Sequence, residues 1–344
     1  FDFIIKDEAE IILSEYLKNN HNRTVNQKNT PKILKSQQLI NLNDLPPPDY
    51  ELYLKRYPYQ DKFKFELYTS RGCPYQCSFC SLNYKFRIYK YENFKNTFEK
   101  LIDLVLQYNK KYPKITFADQ AFFSMSIKDK ILDYIIEEEL SDHISFACQS
   151  RVETVAKDPN IIPKIRKLNL IVGYGLESAD KMLLIEMKKT QNPSKYLEMM
   201  RKILHAYKTE DMNYCRLNIL CGFPGENKET FNNTIKYIEE YAFHEKIQIS
   251  PSLFACYPNS PSYHNMDYYE KKFGAEFYQE WWKYNKNHFQ LSVLKKCSLN
   301  YPLIDLLYDY KEKYSELLKI KNFSFRALIL WKQFYNQWYK EILF

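Results

Sequence analysis

Apolar and polar residues follow a regular alternation from residue 63 onward. Short segments rich in Ile, Val, Leu and Phe predict strands, and longer segments with apolar residues at helical spacing predict helices. The predicted strands are 64–70, 114–119, 144–150, 171–177, 214–221 and 247–254. The predicted helices are 92–109, 127–140, 159–168, 194–208 and 228–242. This alternation predicts the α/β class with parallel β/α units, a partial (β/α)6 barrel whose chemistry gathers where the strands end.

The segments on either side of the barrel have different patterns. Residues 1–20 predict a short strand and an amphipathic helix, and residues 21–62 are polar, with a Pro46-Pro47-Pro48 turn typical of a linker. Residues 63–262 form the predicted barrel, and residues 263–344 a helical C-terminal extension without further strands. Aromatic residues crowd this extension: Tyr278, Trp281, Trp282, Trp331, Phe334 and Trp338. They suit a cap that faces the substrate, although aromatic residues pack cores equally well.

Composition and charge restrict the class of protein. The 344 residues are 45% hydrophobic and contain no long apolar run, which indicates a large core and no membrane-spanning helix. A net charge of +8 arises from interleaved basic and acidic residues, a pattern typical of a solvated surface rather than of a nucleic-acid interface. The chain has 8 cysteines but no secretory leader, so we expect a reducing, cytoplasmic location and neither nucleic-acid nor membrane partners.

Three cysteines follow the first predicted strand directly. Cys73, Cys77 and Cys80 have C-x3-C-x2-C spacing within one loop. Three thiolates in such a loop can bind one face of a cubane iron–sulfur cluster and leave one iron open to a small molecule. A closed zinc site is one alternative, but it usually takes four ligands in two pairs. A disulfide with one spare thiol is another.

The cysteine segment RGCPYQCSFCS resembles the radical S-adenosylmethionine (SAM) superfamily. Four more segments resemble its cobalamin-associated branch: NLNDLPPPDY, GLESADKMLLIEMKKTQ, CGFPGENKETF and FACYPNSP, so that the resemblance covers about residues 40–261. It implies that the three cysteines hold a [4Fe–4S] cluster. It also implies that the open iron binds SAM, which one electron cleaves to a 5′-deoxyadenosyl radical.

The N-terminal residues bear on a third cofactor, cobalamin. Residues 1–10 are similar to the end of a cobalamin-binding domain, but Lys6-Asp7-Glu8-Ala9-Glu10 stands where that branch usually has Gly-Glu-Gly-Glu. The Asp-x-His-x-x-Gly motif that supplies the cobalt ligand is not in the sequence. We therefore expect a remnant of that domain over residues 1–20, and cobalamin is suggested by ancestry alone.

The resemblance also implies contacts with the adenosine half of SAM. Phe79 resembles the residue that meets the adenine, with packing under the loop as the alternative. Glu177 or Ser178, at the end of the fourth strand, would reach the ribose or the methionine end. Gly222 and Phe223 begin a turn that would support the adenine, or that serves only as a tight turn.

Four residues are candidates for the methionine half of SAM. Asp119 and Gln120 end the second strand, where many relatives bind the amino group; capping of the next helix is the alternative. Arg151 and Arg216 are candidates for a bidentate contact with the carboxylate, although Arg216 could instead face the helical layer.

A cysteine in the C-terminal extension bears on the type of reaction. Cys297 could donate a hydrogen atom to a substrate radical, as in some relatives that invert peptide stereocentres, although core packing is the usual role of a free cysteine. The hypotheses are cobalamin-linked methylation or another C–H modification of a peptide or small metabolite, and a cobalamin-independent peptide epimerase. Flavodoxin or ferredoxin would supply the electron. An iron–sulfur electron carrier is the alternative from another class.

Overall fold

The computed structural model describes residues 3–6, 8–19, 32–36, 38–56, 65–82, 84–108, 113–241, 244–278 and 294–318. The N-terminal elements are β1 (Phe3–Lys6), α1 (Glu10–Asn19), β2 (Lys32–Lys35) and α2 (Tyr50–Arg56). Strands β1 and β2 pair in parallel as a separate two-stranded sheet. The predicted linker thus contains a strand and a helix that its polar composition did not indicate.

The strands and helices of the barrel then follow as far as residue 253. In chain order they are β3 (Phe65–Leu67), β4 (Ser70–Arg71), β5 (Arg87–Ile88), α3 (Tyr91–Tyr108), β6 (Lys114–Phe117), α4 (Lys128–Glu137), β7 (Ser145–Ser150), α5 (Val152–Ala156), α6 (Ile161–Lys167), β8 (Ile171–Glu177), α7 (Lys181–Glu186), α8 (Pro193–Thr209), β9 (Cys215–Cys221), α9 (Lys228–Glu239) and β10 (Ile247–Leu253). The two short helices α5 and α7 were not predicted.

The central sheet confirms the predicted fold class. It has six parallel strands in the order β10-β9-β8-β7-β6-β3, the topology of an open partial barrel. The first predicted strand was too long, because β3 ends at Leu67 and the next residues turn away. Ser70 and Arg71 form β4, which pairs antiparallel with β5, so the cysteine segment becomes the loop of a hairpin.

The core lies between the outer face of this sheet and the helices. Helix α3 buries Phe94, Phe98, Leu101, Ile102 and Val105 on one face, as its helical spacing predicts. Strand β9 alternates buried and half-buried residues, and its buried side chains, such as Leu217, belong to the main core.

The inner face of the sheet is polar. Gln149, Gly173, Arg216 and Gln248 lie side by side in register across β7, β8, β9 and β10. The Asn218 amide donates to Gln149 Oε1 at 3.0 Å. A Cβ at Gly173 would lie 2.3 Å from that same oxygen, so the glycine makes room for the Gln149 amide. Arg216 therefore faces the inside of the barrel and not the helical layer.

The C-terminal part contains strands that the sequence did not predict. Its elements are α10 (Pro261–His264), α11 (Met266–Phe273), β11 (Glu276–Phe277), β12 (Leu294–Ser298), β13 (Tyr301–Pro302) and α12 (Leu303–Leu318). Strands β11, β12 and β13 form an antiparallel sheet, so the expectation of a purely helical extension was wrong. Five of the aromatic residues of the predicted cap lie outside the described residues: Trp281, Trp282, Trp331, Phe334 and Trp338. Among the described helices, none has the length and apolar character needed to cross a membrane.

Candidate functional site

The three cysteines lie in the hairpin loop between β4 and β5, at the carboxyl edge of the central sheet. All three are free thiols and half-buried, and the Cys80 amide donates to the Cys77 carbonyl at 3.1 Å. Gly72 starts the loop with φ of +78°, and a Cβ there would lie 2.5 Å from the Tyr84 carbonyl oxygen. The close passage of the hairpin backbone therefore requires this glycine.

Ser78, in the middle of the loop, fixes it to two other parts of the chain. Its amide donates to the Met187 carbonyl at 2.9 Å, and its hydroxyl to the Glu186 carbonyl at 2.8 Å. Its own carbonyl accepts hydrogen bonds from the Ser262 amide and hydroxyl, each at 2.8 Å. The loop is thereby held between the end of α7 and the start of α10. No local pattern distinguished these two serines in the sequence.

Asp119 anchors the start of the loop from the end of β6. Its carboxylate is 2% exposed and accepts from the Thr69 amide at 3.1 Å, the Thr69 hydroxyl at 2.9 Å and the Ser70 hydroxyl at 2.5 Å. Burial raises the pKa of this carboxyl, and the hydrogen bonds from Ser70 and Thr69 oppose that rise. The predicted helix cap is not observed, because the carboxylate binds the segment that leads into the cysteines. Its neighbour Gln120 is exposed.

Burial and positive charge act in opposite directions on the loop thiols. The pKa values of the Cys73 and Cys80 thiols are raised, chiefly by burial, and the positive charge of Lys189 opposes that rise. The Cys77 sulfur accepts a hydrogen bond from Arg151 Nη1 at 3.1 Å. Within the described residues, no three His, Cys, Asp or Glu side chains lie close enough to hold a single metal ion. Ligands of a cubane cluster bind different irons and stand further apart, so this donor set fits a [4Fe–4S] cluster.

A buried ion pair lies at the end of β8. Lys189 Nζ lies 3.0 Å from Glu177 Oε1, and their side chains are 5% and 13% exposed. A Cβ at Gly175 would lie 2.5 Å from that carboxylate oxygen and 2.6 Å from the ammonium, so the glycine makes room for the pair. Glu177 has φ of +68°, a conformation that is strained for glutamate and is common at functional sites. Lys189 Nζ is also 6.0 Å from the centroid of the Phe79 ring. Because Phe79 lies within the cysteine loop, the Glu177–Lys189 pair lies beside that loop.

Three other predicted residues are engaged in contacts within the fold. The Ser178 hydroxyl lies 3.0 Å from Thr234 Oγ1 and also accepts from the Asp180 amide, so it faces α9 and a cofactor contact would break these bonds. Phe223 is fully buried against Phe254 in a second core. Gly222 has φ of +84° and is covered by side chains of α12, which fits the alternative of a tight turn.

Cys297 is also placed differently from its predicted role. Its side chain is fully buried in the main core, and burial raises its pKa well above the ordinary range. Its carbonyl accepts from the Gly225 amide at 2.7 Å. A thiol enclosed in this way favours the alternative of core packing over hydrogen-atom donation to a substrate in the barrel.

Glu226 is a buried acid that sequence reasoning missed. It is 1% exposed, and its carboxylate accepts from the Gly222 amide at 2.5 Å and the Tyr310 hydroxyl at 3.1 Å. Burial raises the pKa of Glu226 to about 7, although the Gly222 and Tyr310 hydrogen bonds oppose the rise. The signal was the Gly-Phe-Pro-Gly-Glu turn itself, whose two glycines have positive φ and turn a backbone amide toward the acid.

This carboxyl predicts a pH dependence of stability. The folded state holds the proton more tightly than the unfolded chain, so the contribution of Glu226 is complete below about pH 4.5 and is lost as the pH rises through about 7. Glu226→Gln should reduce the loss of unfolding free energy between pH 5 and pH 8 by about 2 to 3 kcal/mol. Urea unfolding of both proteins at the two pH values measures this difference, and equal losses would contradict it.

The fold and this arrangement of residues define a partial-barrel protein with three free thiols in a loop at the carboxyl edge of its sheet. A family model described as the radical SAM superfamily matches residues 67–238, which is half of the 344 residues. The chain belongs to the radical SAM superfamily. It is an enzyme whose cofactors are a [4Fe–4S] cluster and SAM.

Two relatives are named for the transfer of a methyl or a methylthio group. An uncharacterized methyltransferase of Pyrococcus horikoshii is 27% identical over 213 residues, which cover 58% of this chain and 42% of that protein. The ribosomal protein methylthiotransferase RimO of Nitratiruptor is 24% identical over 187 residues, which cover 51% of this chain and 40% of that protein. The chain therefore spans about two fifths of the length of each relative.

One solved structure has a similar fold over most of the chain. The cobalamin-dependent S-adenosylmethionine radical enzyme OxsB matches with a TM-score of 0.55 and 15% identity. The match covers 77% of this chain and 42% of that protein. At this identity the likeness extends to the fold alone.

Proposed function

We propose that the enzyme modifies an unactivated C–H bond of a peptide or small metabolite, most simply by methylation, with Cys73, Cys77 and Cys80 as the cluster ligands. The single observation that carries this is the placement of three free thiols beside the Glu177–Lys189 pair at the carboxyl edge of the sheet. When bound, the reduced cluster supplies the electron that cleaves SAM to methionine and a hydrogen-abstracting 5′-deoxyadenosyl radical. Methylation is favoured because the two relatives are named for methyl-type transfers.

Glu177 is proposed as the residue that positions SAM. Its Oε1 is held by Lys189, while Oε2 has no hydrogen-bond partner among the described residues. A carboxylate oxygen fixed in this way at a strand end can accept hydrogen bonds from ribose hydroxyls or from the methionine ammonium. Phe79, beside the same lysine, offers an aromatic surface for the adenine.

Substitution of Glu177 should therefore weaken SAM binding. Glu177→Gln is expected to raise the dissociation constant for SAM at least about tenfold, the effect of one charge-assisted hydrogen bond. Equilibrium dialysis of the cluster-loaded protein measures it. Glu198→Gln is the matched control, because Glu198 pairs with Lys202 at 2.9 Å on an exposed face of α8. Equal affinities in the two variants would contradict the assignment.

The substrate is proposed to lie against the polar inner face of the sheet. This face carries amide and guanidinium groups, from Gln149, Asn218, Arg216 and Gln248. Ser250, which is in register with Asn218, contributes a hydroxyl group. Such a face suits the hydrogen-bonding groups of a peptide or a polar metabolite better than an apolar molecule.

The N-terminal elements support a link to cobalamin. We propose the domain limits 1–20, 21–62, 63–262 and 263–344, with β1 and α1 as part of a cobalamin-binding-like unit. Glu8 and Glu10, within the segment that departs from the usual motif, bind Arg71 at 3.3 and 2.6 Å. Arg71 immediately precedes Gly72 and Cys73, so this unit is tied to the start of the cysteine loop.

The cobalamin proposal has a direct test. Cluster-loaded protein is incubated with SAM and dithionite, with and without hydroxocobalamin, and S-adenosylhomocysteine is measured. We expect S-adenosylhomocysteine only in the reaction with hydroxocobalamin, because SAM becomes S-adenosylhomocysteine when it donates its methyl group. Equal amounts in both reactions would contradict the cobalamin link. The cobalamin-independent epimerase hypothesis receives no support, because its hydrogen donor Cys297 is fully buried.

A further inference from the structure

Arg151 is directed at the sulfur of a cluster ligand. The residue follows β7 directly and is 6% exposed. Its Nη1 donates a hydrogen bond to Cys77 Sγ at 3.1 Å. A hydrogen bond from a guanidinium is charge-assisted, and its donor remains protonated at every pH at which the protein is folded.

The other donors of Arg151 are already engaged. Nε and Nη2 donate to the two carboxylate oxygens of Glu153 at 3.3 and 2.9 Å, and Nη2 also donates to the Lys189 carbonyl. The guanidinium carbon lies 4.1 Å from the centroid of the Tyr75 ring, within the cysteine loop. The Arg151 guanidinium is therefore fixed by the Tyr75 ring against its flat face and by hydrogen bonds along its edges.

This arrangement leaves little room for the predicted contact with SAM. A bidentate carboxylate contact uses two parallel N–H groups on one edge of the guanidinium. Glu153 occupies the Nε–Nη2 edge, and Nη1 is directed at Cys77. The sequence-based expectation that Arg151 binds the SAM carboxylate therefore conflicts with the contacts that the folded chain makes.

Hydrogen bonds and charge at cluster sulfurs set the potential of an iron–sulfur centre. A donor at a ligand sulfur stabilises the extra electron of the reduced state and so raises the reduction potential. We propose that Arg151 positions the Cys77 thiolate and raises the reduction potential of the cluster. This inference rests on the proposed function of the cysteine loop, and it assigns Arg151 a positioning role rather than a catalytic one.

The test compares arginine variants of the cluster-loaded protein. Arg151→Gln removes the charge, and Arg151→Lys keeps the charge but loses the planar fork. Arg201→Gln is a matched control, because Arg201 stacks on Tyr237 at 5.0 Å and pairs with Glu240 at 3.7 Å on α8 and α9. The midpoint potential is measured without SAM by a titration followed by electron paramagnetic resonance. The dissociation constant for SAM is measured separately.

Arg151→Gln is expected to lower the reduction equilibrium constant about tenfold, which for one electron is about 59 mV. Arg151→Lys should give a smaller shift in the same direction, Arg201→Gln none, and SAM affinity should change less than about threefold in all three. If Arg151→Gln does not load iron, a lowered potential in Arg151→Lys supports the inference.

An unchanged potential in the loaded Arg151 variants would overturn the inference. If their affinity for SAM also fell tenfold, the carboxylate contact would replace it. Failure of the wild-type protein to load a cluster would instead refute the proposed function of the cysteine loop, so the two failures are distinguishable.

Discussion

Replacement of any one of Cys73, Cys77 and Cys80 by alanine is expected to abolish the [4Fe–4S] cluster and, with it, SAM cleavage. Each thiolate anchors a different iron, and the described residues around the loop offer no further thiol that could take its place. Iron content should fall from about four per chain to a small fraction, and the cluster absorbance should disappear.

The matched control is a cysteine of the core. Cys148 is a free thiol, 3% exposed, on the side of β7 that faces the main core. Cys148→Ala should lower the free energy of unfolding but leave the iron content and the absorbance unchanged. Full iron loading in any of the three loop variants would contradict the ligand assignment. Equal loss in Cys148→Ala would show that the measurement reports folding and not ligation.

Asp119→Ala is expected to give the largest loss of stability among the substitutions considered. It leaves the Thr69 amide and the Thr69 and Ser70 hydroxyls without their buried acceptor, at a cost of about 3 kcal/mol or more. Because these donors begin the segment that leads to Cys73, iron loading should fall as well. Urea unfolding and iron analysis of the same preparations measure the two effects.

Two further variants test the cause of that loss. Asp119→Asn keeps the shape but offers the Thr69 amide only one acceptor oxygen, so an intermediate loss is expected. Asp211→Ala removes an exposed carboxylate that lies 3.3 Å from Lys246, and should cost less than about 0.5 kcal/mol. If Asp119→Ala kept its stability and iron but lost SAM affinity, the carboxylate would be a ligand of the SAM ammonium.

Local sequence patterns were sufficient for the central sheet. The six strands are short apolar segments and a helix follows each of the first five before the next strand of the sheet, and both periodicities are visible within about ten residues. The hairpin of β4 and β5 and the sheet of β11, β12 and β13 were missed because their strands have two to five residues, too few to show an alternation.

Site residues could be predicted where the residues that carry the signal are close together in the sequence. The spacing of the three cysteines and the end of β8 at Glu177 could be found without tertiary information. The partners of Asp119 lie 49 and 50 residues away, and those of Ser78 lie 108 and 184 residues away, so no local pattern could reveal them. The contacts of Ser178 with α9 and the burial of Cys297 could not be predicted, because sequence position does not fix the direction or burial of a side chain.

The decisive experiment is an assay for the reductive cleavage of SAM. The protein is reconstituted anaerobically with iron and sulfide, incubated with dithionite and SAM, and assayed for 5′-deoxyadenosine and methionine. We expect both products in equal amounts from the wild-type protein and neither from the Cys77→Ala variant. A wild-type protein that carries an intact cluster but neither binds nor cleaves SAM would contradict the account and favour an electron-transfer role.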